Sequence, residues 1–267
     1  DTKHPVNRER INPAHSPYLC FSKLLQAHLN YHIGLIPTAK GGSALSSWNP
    51  DESGELYENM INTIKSAGGE VKGVLWYQGC SDTDIINAST YLERFKSLVQ
   101  KTRSDLKCDN IPFFTVQLNR HVDAKVENKV AATQNDFVYV IPSIDLNVCD
   151  IIHNSAASNM VIGQRLANAA LKYLYAANAL CDAPQIASAN KNGNNVTMVF
   201  ENVVERLDFR NIDAKQLPFT VEDETGILQI EGYTIDKSSI TLQTNRNVLP
   251  SAYVSCAFEQ NPKTQIP

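Results

Sequence analysis

The chain has 267 residues, and its 24 Lys and Arg side chains against 28 Asp and Glu give a formal net charge of −4. It has no basic stripe of the kind that marks a nucleic-acid binder, and its hydrophobic content of 43% is too high for a disordered chain. No apolar run reaches the roughly 18–20 residues of a membrane-spanning helix. We therefore expect a globular protein of one large or two ordinary domains, with no nucleic-acid partner and no membrane span.

Six cysteines and two glycosylation sequons bear on metal binding and on the cellular compartment. The cysteines are widely and irregularly spaced and form no Cys-x-x-Cys pair or Cys/His cluster, so we predict no metal site. The triplets at 87–89 and 195–197 match the N-glycosylation pattern, with Asn87 and Asn195 as acceptors. These sequons favour a secreted or lumenal protein, in the lysosome or secretory pathway if the source is eukaryotic.

Between residues 16 and 180, apolar strand-like runs alternate with helical periods. The predicted strands lie at 33–37, 71–77, 112–117 and 137–141. One predicted helix has an apolar face made by Tyr91, Phe95, Leu98, Val99 and Leu106. A second spans 158–177, with inward-facing Met160, Gly163, Leu166, Ala167, Ala170, Leu171 and Leu174. This alternation predicts a parallel sheet with helices on both faces.

The pattern changes near residue 181, which predicts a domain boundary between 1–181 and 182–267. The second part has short alternating runs at 196–200, 228–230, 240–244 and 252–258. The pairs Asn192-Gly193 and Thr225-Gly226 are typical of turns between strands. We predict a small antiparallel β-sandwich.

Chemistry in a parallel α/β sheet gathers on the loops that follow the carboxyl ends of strands. Three such loops carry candidate residues: the adjacent glycines Gly41 and Gly42, then Gln78, then Asp150 with His153. Adjacent glycines allow close approach of the backbone to a ligand, and a Gln amide can donate into a cleft. An Asp three residues before a His can accept the Nδ1–H and leave Nε2 as a general base.

Simpler roles stay open for each of these residues. The two glycines could form a plain tight turn, and Asp150 could be a helix cap beside a surface His153. Trp76 and Tyr77 could belong to the core or to the wall of a cleft. Cys80 is more typical of a buried or disulfide-bonded cysteine than of a nucleophile, since nothing in the sequence places a base beside it.

Several blocks of sequence together resemble a known superfamily. They are GLIP at 34–37, GGS at 41–43, Trp48, GVLWYQGCSD at 73–82 and DIIH at 150–153. They resemble the SGNH hydrolases, and within them the carbohydrate esterase branch that contains sialate O-acetylesterases and acetylxylan esterases. The resemblance covers about residues 16–178 and implies a flavodoxin-like three-layer α/β/α domain with a parallel sheet.

The resemblance also implies a reaction and a set of roles. The reaction is hydrolysis of an acetyl ester on a sugar hydroxyl through an acyl-serine intermediate, without a metal or organic cofactor. The substrate is acetylated sialic acid or another acetylated glycan. The implied roles are general base for His153, orienting carboxylate for Asp150, oxyanion hole for the Gly41 and Gly42 N–H groups and the Gln78 amide, and substrate binding for Trp48, Trp76 and Tyr77.

The sequence departs from the family pattern in two ways. Cys80 stands where the family usually has Glu, and because the loops of Cys80 and Cys149 are expected to converge, a disulfide between them is a hypothesis. The GQSN-like motif that carries the nucleophilic serine on the first strand does not occur in this sequence. That strand belongs between the strands at 33–37 and 71–77. We therefore expect the nucleophile on an N-terminal peptide or subunit of the same precursor, tightly associated after proteolytic processing.

Two other classes of function stay open. One is a non-catalytic glycan-binding protein on a degenerate hydrolase scaffold, which the absent serine motif and Cys80 favour. The other is a cysteine-dependent hydrolase that uses Cys80 or Cys149 with His153. The Asp150–His153 pair favours the esterase, because a binding protein has no need of an oriented base.

Overall fold

The structure is a computed structural model, and it describes residues 15–119, 137–150, 152–209 and 212–257. The chain divides into two compact units, Asp1–Cys181 and Asp182–Pro267. In the described part of the chain, no helix combines the length and the apolar character needed to cross a membrane.

The described helices of the first unit are α1 (Pro17–Leu29), α2 (Glu55–Ser66), α3 (Ile85–Asp105) and α4 (Ala156–Tyr175). Three of them begin at a side-chain cap, whereas α2 follows Gly54, which has no side chain to form one. Ser16, Asp84 and Ser155 each accept a hydrogen bond from a backbone N–H of the first turn of α1, α3 and α4, which satisfies groups that have no partner inside the helix. Both predicted helices are confirmed, but Met160, predicted to face inward, is 54% exposed.

The sheet of the first unit has the parallel arrangement that the alternating pattern predicts. Its strands are β1 (Val74–Trp76), β2 (Phe113–Val116) and β3 (Val138–Ile141), in the order β1-β2-β3. On one face, Phe113 packs with buried residues of α2 and α3. On the other, Phe114 packs with buried residues of α1 and α4. The three-layer α/β/α prediction is therefore confirmed.

The prediction of a strand at 33–37 is wrong. The backbone from 33 to 40 is irregular, and Leu35 is 43% exposed. A strand needs a neighbour to pair its N–H and C=O groups. Within the described residues β1 pairs with β2 only, so no strand lies against its other edge.

The second unit consists of antiparallel strands. They are β4 (Gln185–Asn192), β5 (Asn195–Glu201), β6 (Phe219–Asp223), β7 (Gly226–Leu228), β8 (Ile230–Asp236), β9 (Ser239–Thr244) and β10 (Tyr253–Cys256). They form two sheets, β4-β5-β9-β8 and β10-β6-β7, whose apolar side chains share one core. This confirms the predicted sandwich, although the predicted strand at 228–230 is divided between β7 and β8. Residue 258, at the end of the last predicted strand, lies outside the described residues.

Candidate active site

The loop with the two adjacent glycines is closed by Ser43. Gly42 has a φ of +68°, in the left-handed region that favours glycine, and a Cβ at this position would have no atom within 4 Å. The Ser43 hydroxyl donates to the Lys40 carbonyl at 2.8 Å and accepts from Trp48 Nε1 at 2.8 Å. Because its proton is engaged with a carbonyl, Ser43 has a structural role in this loop.

The Gln78 side chain joins this loop to the carboxyl end of β1. Its Nε2 donates to Asp82 Oδ2 at 2.6 Å and to the Ser43 carbonyl at 3.1 Å, and its Oε1 accepts from the Tyr91 hydroxyl at 2.9 Å. An amide nitrogen carries two hydrogens, so both are engaged inside the protein. The contribution of this amide to an oxyanion hole stays a prediction, and the contacts show that it fixes the glycine loop.

Asp82 is a site residue that the sequence reasoning did not assign. Its side chain is 0% exposed and accepts from the Leu45 backbone N–H at 2.8 Å as well as from Gln78. Arg94 Nη1 lies 3.5 Å from the other carboxylate oxygen, and Arg94 also forms a bidentate pair with Glu52 at 2.8 and 2.9 Å. Asp82 therefore supports the glycine loop. Its position in the 73–82 block was the signal that could have found it.

Asp150 and His153 form the predicted pair. Asp150 Oδ2 lies 2.7 Å from His153 Nδ1, and Oδ1 accepts from the backbone N–H groups of Ile152 and His153 at 2.9 and 2.7 Å. The hydrogen bonds from the Ile152 backbone and from the His153 side chain lower the pKa of Asp150 to about 2. An ionised carboxylate only accepts hydrogen bonds, so it favours the neutral tautomer that carries the proton on Nδ1 and the lone pair on Nε2. This is the arrangement of a general base with its orienting group.

The segment that carries His153 is closed by hydrogen bonds at its ends, and we call its described residues, 148–150 and 152–155, the His153 loop. Val148 and Asn154 form an antiparallel bridge, and the Cys149 N–H donates to the His153 carbonyl at 2.8 Å. The Cys149 thiol contacts the carbonyls of His153 and Asn154 at 3.4 and 3.6 Å. No disulfide forms among the described cysteines, so the hypothesised bridge between Cys80 and Cys149 is not formed.

The aromatic residues predicted to bind substrate lie mostly inside the unit. Trp48 and Trp76 are 4% and 6% exposed, and their rings pack edge to face with centroids 5.5 Å apart. The Tyr77 hydroxyl accepts from Asn154 Nδ2 at 2.5 Å, and burial raises its pKa above the ordinary value, which keeps it neutral. The two Trp rings therefore offer little surface to a ligand, and Tyr77 holds the His153 loop.

These contacts connect the three predicted loops through the end of β1. Gln78 bonds to the glycine loop at Ser43, and the preceding residue, Tyr77, bonds to Asn154 beside His153. The arrangement can support acyl transfer once a nucleophile is present, since a carboxylate-oriented imidazole is the proton-transfer part of a hydrolytic triad.

Comparisons with known proteins show which family and which folds this chain is similar to. The chain is 32% identical over 146 residues to "Probable carbohydrate esterase At4g34215" of Arabidopsis thaliana, over 52% of this chain and 55% of that protein. The solved structure of that Arabidopsis protein matches with a TM-score of 0.59 and 28% identity, over 63% of this chain and 73% of that one. The chain thus spans about half the length of its curated relative.

A second solved structure shares the fold over most of the chain. It is XAC1771, a carbohydrate acetylesterase from Xanthomonas citri, with a TM-score of 0.77 and 22% identity over 93% of this chain and 61% of that one. Residues 2–172 match the family described as "Carbohydrate esterase, sialic acid-specific acetylesterase". The chain therefore belongs to the sialic acid-specific acetylesterase family of carbohydrate esterases.

Proposed function

We propose that this chain forms the larger part of a carbohydrate O-acetylesterase, with O-acetylated sialic acid as the first substrate to test. The observation that carries the proposal is the 2.7 Å contact between Asp150 and His153, with Asp150 fixed by two backbone N–H groups. A catalytic base needs this fixed tautomer, whereas a glycan-binding surface does not. The carbohydrate esterase relatives support the same class of substrate.

The proposed reaction has two steps. A serine hydroxyl attacks the acetyl carbonyl, its proton passes to His153 Nε2, and the sugar oxygen leaves with that proton. A water molecule then attacks the acetyl-serine ester, again losing its proton to His153, and acetate leaves as the serine is regenerated. Asp150 stabilises the imidazolium that forms in each step.

We further propose that the nucleophilic serine comes from a segment outside this sequence. No GQSN-like motif occurs in it, and the Ser43 hydroxyl is engaged with Lys40 and Trp48. Among the described strands, the outer edge of β1 has no neighbour, which is where the family's first strand is expected. Unpaired buried backbone groups cost about 1–3 kcal/mol each, so a strand that pairs with this edge would stabilise the sheet.

The experiment uses the natural protein in its complete form, together with any associated peptide. We expect it to hydrolyse 4-nitrophenyl acetate and O-acetylated sialic acid, His153→Ala to abolish turnover, and Asp150→Asn to reduce it strongly. His28→Ala, at an exposed histidine of α1, is the matched control and should keep full activity. Unchanged activity in His153→Ala, or glycan binding without hydrolysis by the wild type, would refute the esterase proposal.

Mass spectrometry under denaturing conditions tests the origin of the serine. We expect a companion peptide, or a longer chain, that contains a serine motif and reacts with a fluorophosphonate probe. A fully active protein that consists of the 29.6 kDa chain alone contradicts this proposal.

We also propose a secreted or lumenal location, with Asn195 as the glycosylated sequon. Asn195 is exposed at the start of β5, whereas the Asn87 amide donates to Asp84 at 2.6 Å and accepts from Arg94 at 3.2 Å. Protein expressed through a eukaryotic secretory pathway should lose the mass of one glycan when treated with an endoglycosidase. Asn195→Gln should abolish this change in mass. A product without glycan contradicts the proposal.

A further inference from the structure

A group of largely buried polar side chains connects the His153 loop to the residues that follow β1 and β2, and we call it the asparagine bridge (Tyr77, Asn119 and Asn154). Each member comes from a different part of the fold: Tyr77 directly follows β1, Asn119 lies three residues after β2, and Asn154 is the neighbour of His153. Asn119 and Asn154 are 2% and 7% exposed. Buried asparagines are uncommon, and they remain buried only when their amides are hydrogen-bonded.

The side chains of the asparagine bridge are joined by a chain of hydrogen bonds. Asn119 Nδ2 donates to the Leu146 carbonyl at 2.8 Å and to Asn154 Oδ1 at 2.7 Å, and Asn154 Nδ2 donates to the Tyr77 hydroxyl at 2.5 Å. Removing one member therefore leaves a buried donor or acceptor without its partner, which costs more than the bond itself contributes. The bridge has one well-defined arrangement.

The bridge fixes the place of the His153 loop, which the loop's internal contacts do not. The Asp150 bonds and the Val148–Asn154 pairing join described residues of the loop to one another. The Asn154 side chain reaches outside the loop, to the residues that follow β1 and β2. Tyr77 is next to Gln78, which holds the glycine loop. The contact between Asn154 and Tyr77 thus links the position of the His153 imidazole to the end of β1, which also holds the glycine loop.

We propose that Asn154, held by Asn119 and Tyr77, is a positioning residue that places His153 for proton transfer. This inference rests on the proposed esterase function. A displacement of about 1 Å in a reacting group can cost roughly 100-fold in rate, so a side chain that sets the position of the base affects turnover without touching the substrate.

The kinetic test compares Asn154→Ala, Tyr77→Phe and their double variant in the complete enzyme. We expect kcat to fall about 10- to 100-fold in Asn154→Ala, with KM and the pH profile unchanged because Asp150 still holds Nδ1. The double variant should lose no more than Asn154→Ala, since both changes break the same bond. The control Thr102→Val removes a buried hydroxyl in α3 and should keep kcat. An unchanged kcat in Asn154→Ala, or equal losses in Thr102→Val, would overturn the inference.

Hydrogen exchange in the complete enzyme gives a readout that does not depend on activity. The N–H groups of Cys149 and Ser155 donate to the His153 and Asn147 carbonyls within or beside the loop. We expect Asn154→Ala to accelerate exchange at both amides and Thr102→Val to leave them unchanged. If the wild-type enzyme is inactive but Asn154→Ala still accelerates exchange, the proposed function is refuted and Asn154 is shown to anchor the loop. Unchanged exchange in Asn154→Ala would refute the inference itself.

Discussion

Replacing the buried carboxylate of Asp82 is the most direct perturbation of the glycine-loop side of the site. In Asp82→Ala, the backbone N–H of Leu45 and one N–H of Gln78 lose their acceptor. Each unsatisfied buried donor costs about 1–3 kcal/mol, and water can partly replace the acceptor at half-buried Gln78. Arg94 keeps its bidentate pair with Glu52, so no unpaired charge is left behind. We therefore expect the free energy of unfolding of the first unit to fall by about 2–4 kcal/mol.

Tryptophan fluorescence during urea unfolding measures this change. Trp48 and Trp76 are the two tryptophans of the chain, and both lie in the core of the first unit, so the signal reports that unit alone. Glu52→Ala is the matched control at the outer end of the same network, and because Glu52 is partly exposed the expected loss is at most about 1 kcal/mol. A loss in Asp82→Ala below about 1 kcal/mol, or equal to that of Glu52→Ala, would refute the assigned role of Asp82.

Three further outcomes are expected. The carboxyl carbon of Asp150, followed by NMR, should titrate near pH 2, because hydrogen bonds to the carboxylate depress its pKa. Their contribution to stability is present above the ordinary Asp pKa and is lost as the pH falls below it, so a midpoint near 4 contradicts the prediction. Gly163→Ala should lower the stability of the first unit by about 1–3 kcal/mol, since its Cβ would lie 2.4 Å from a carbonyl of α1, whereas Gly34→Ala has open space and should not. The Arg246 guanidinium holds the pKa of Asp223 well below its usual range, so Asp223 should stabilise the second unit above pH 4 and lose this effect in acid. In Asp223→Asn, the protection of β6 amides against hydrogen exchange should therefore depend less on pH below 4 than in the wild type. The same dependence in both proteins would count against this role.

Strand prediction succeeded where burial leaves a pattern in the sequence. The strands β1, β2 and β3 lie within the predicted apolar runs, and β5 and β9 show alternating burial in agreement with their alternating sequences. β4 was not predicted, because all eight of its residues are exposed and it is held by backbone pairing with β5. The run at 33–37 was predicted as a strand because it is apolar, but a strand also requires a pairing partner, and no sequence pattern reports one.

The Asp150–His153 pair could be predicted because the two residues are three apart, and local geometry then permits the contact. The role of Asn154 could not, since its partners Asn119 and Tyr77 lie 35 and 77 residues away in the chain. The 73–82 block marks Asp82, but no sequence pattern shows its bond to Leu45, 37 residues away. The sequence by itself determined the fold class, the family resemblance and the local pair, because these depend on periodicity, short motifs and close spacing. Only the tertiary structure decided which amide and carboxylate groups lie between the loops, because strand order and helix packing bring together residues whose separation in the chain carries no signal.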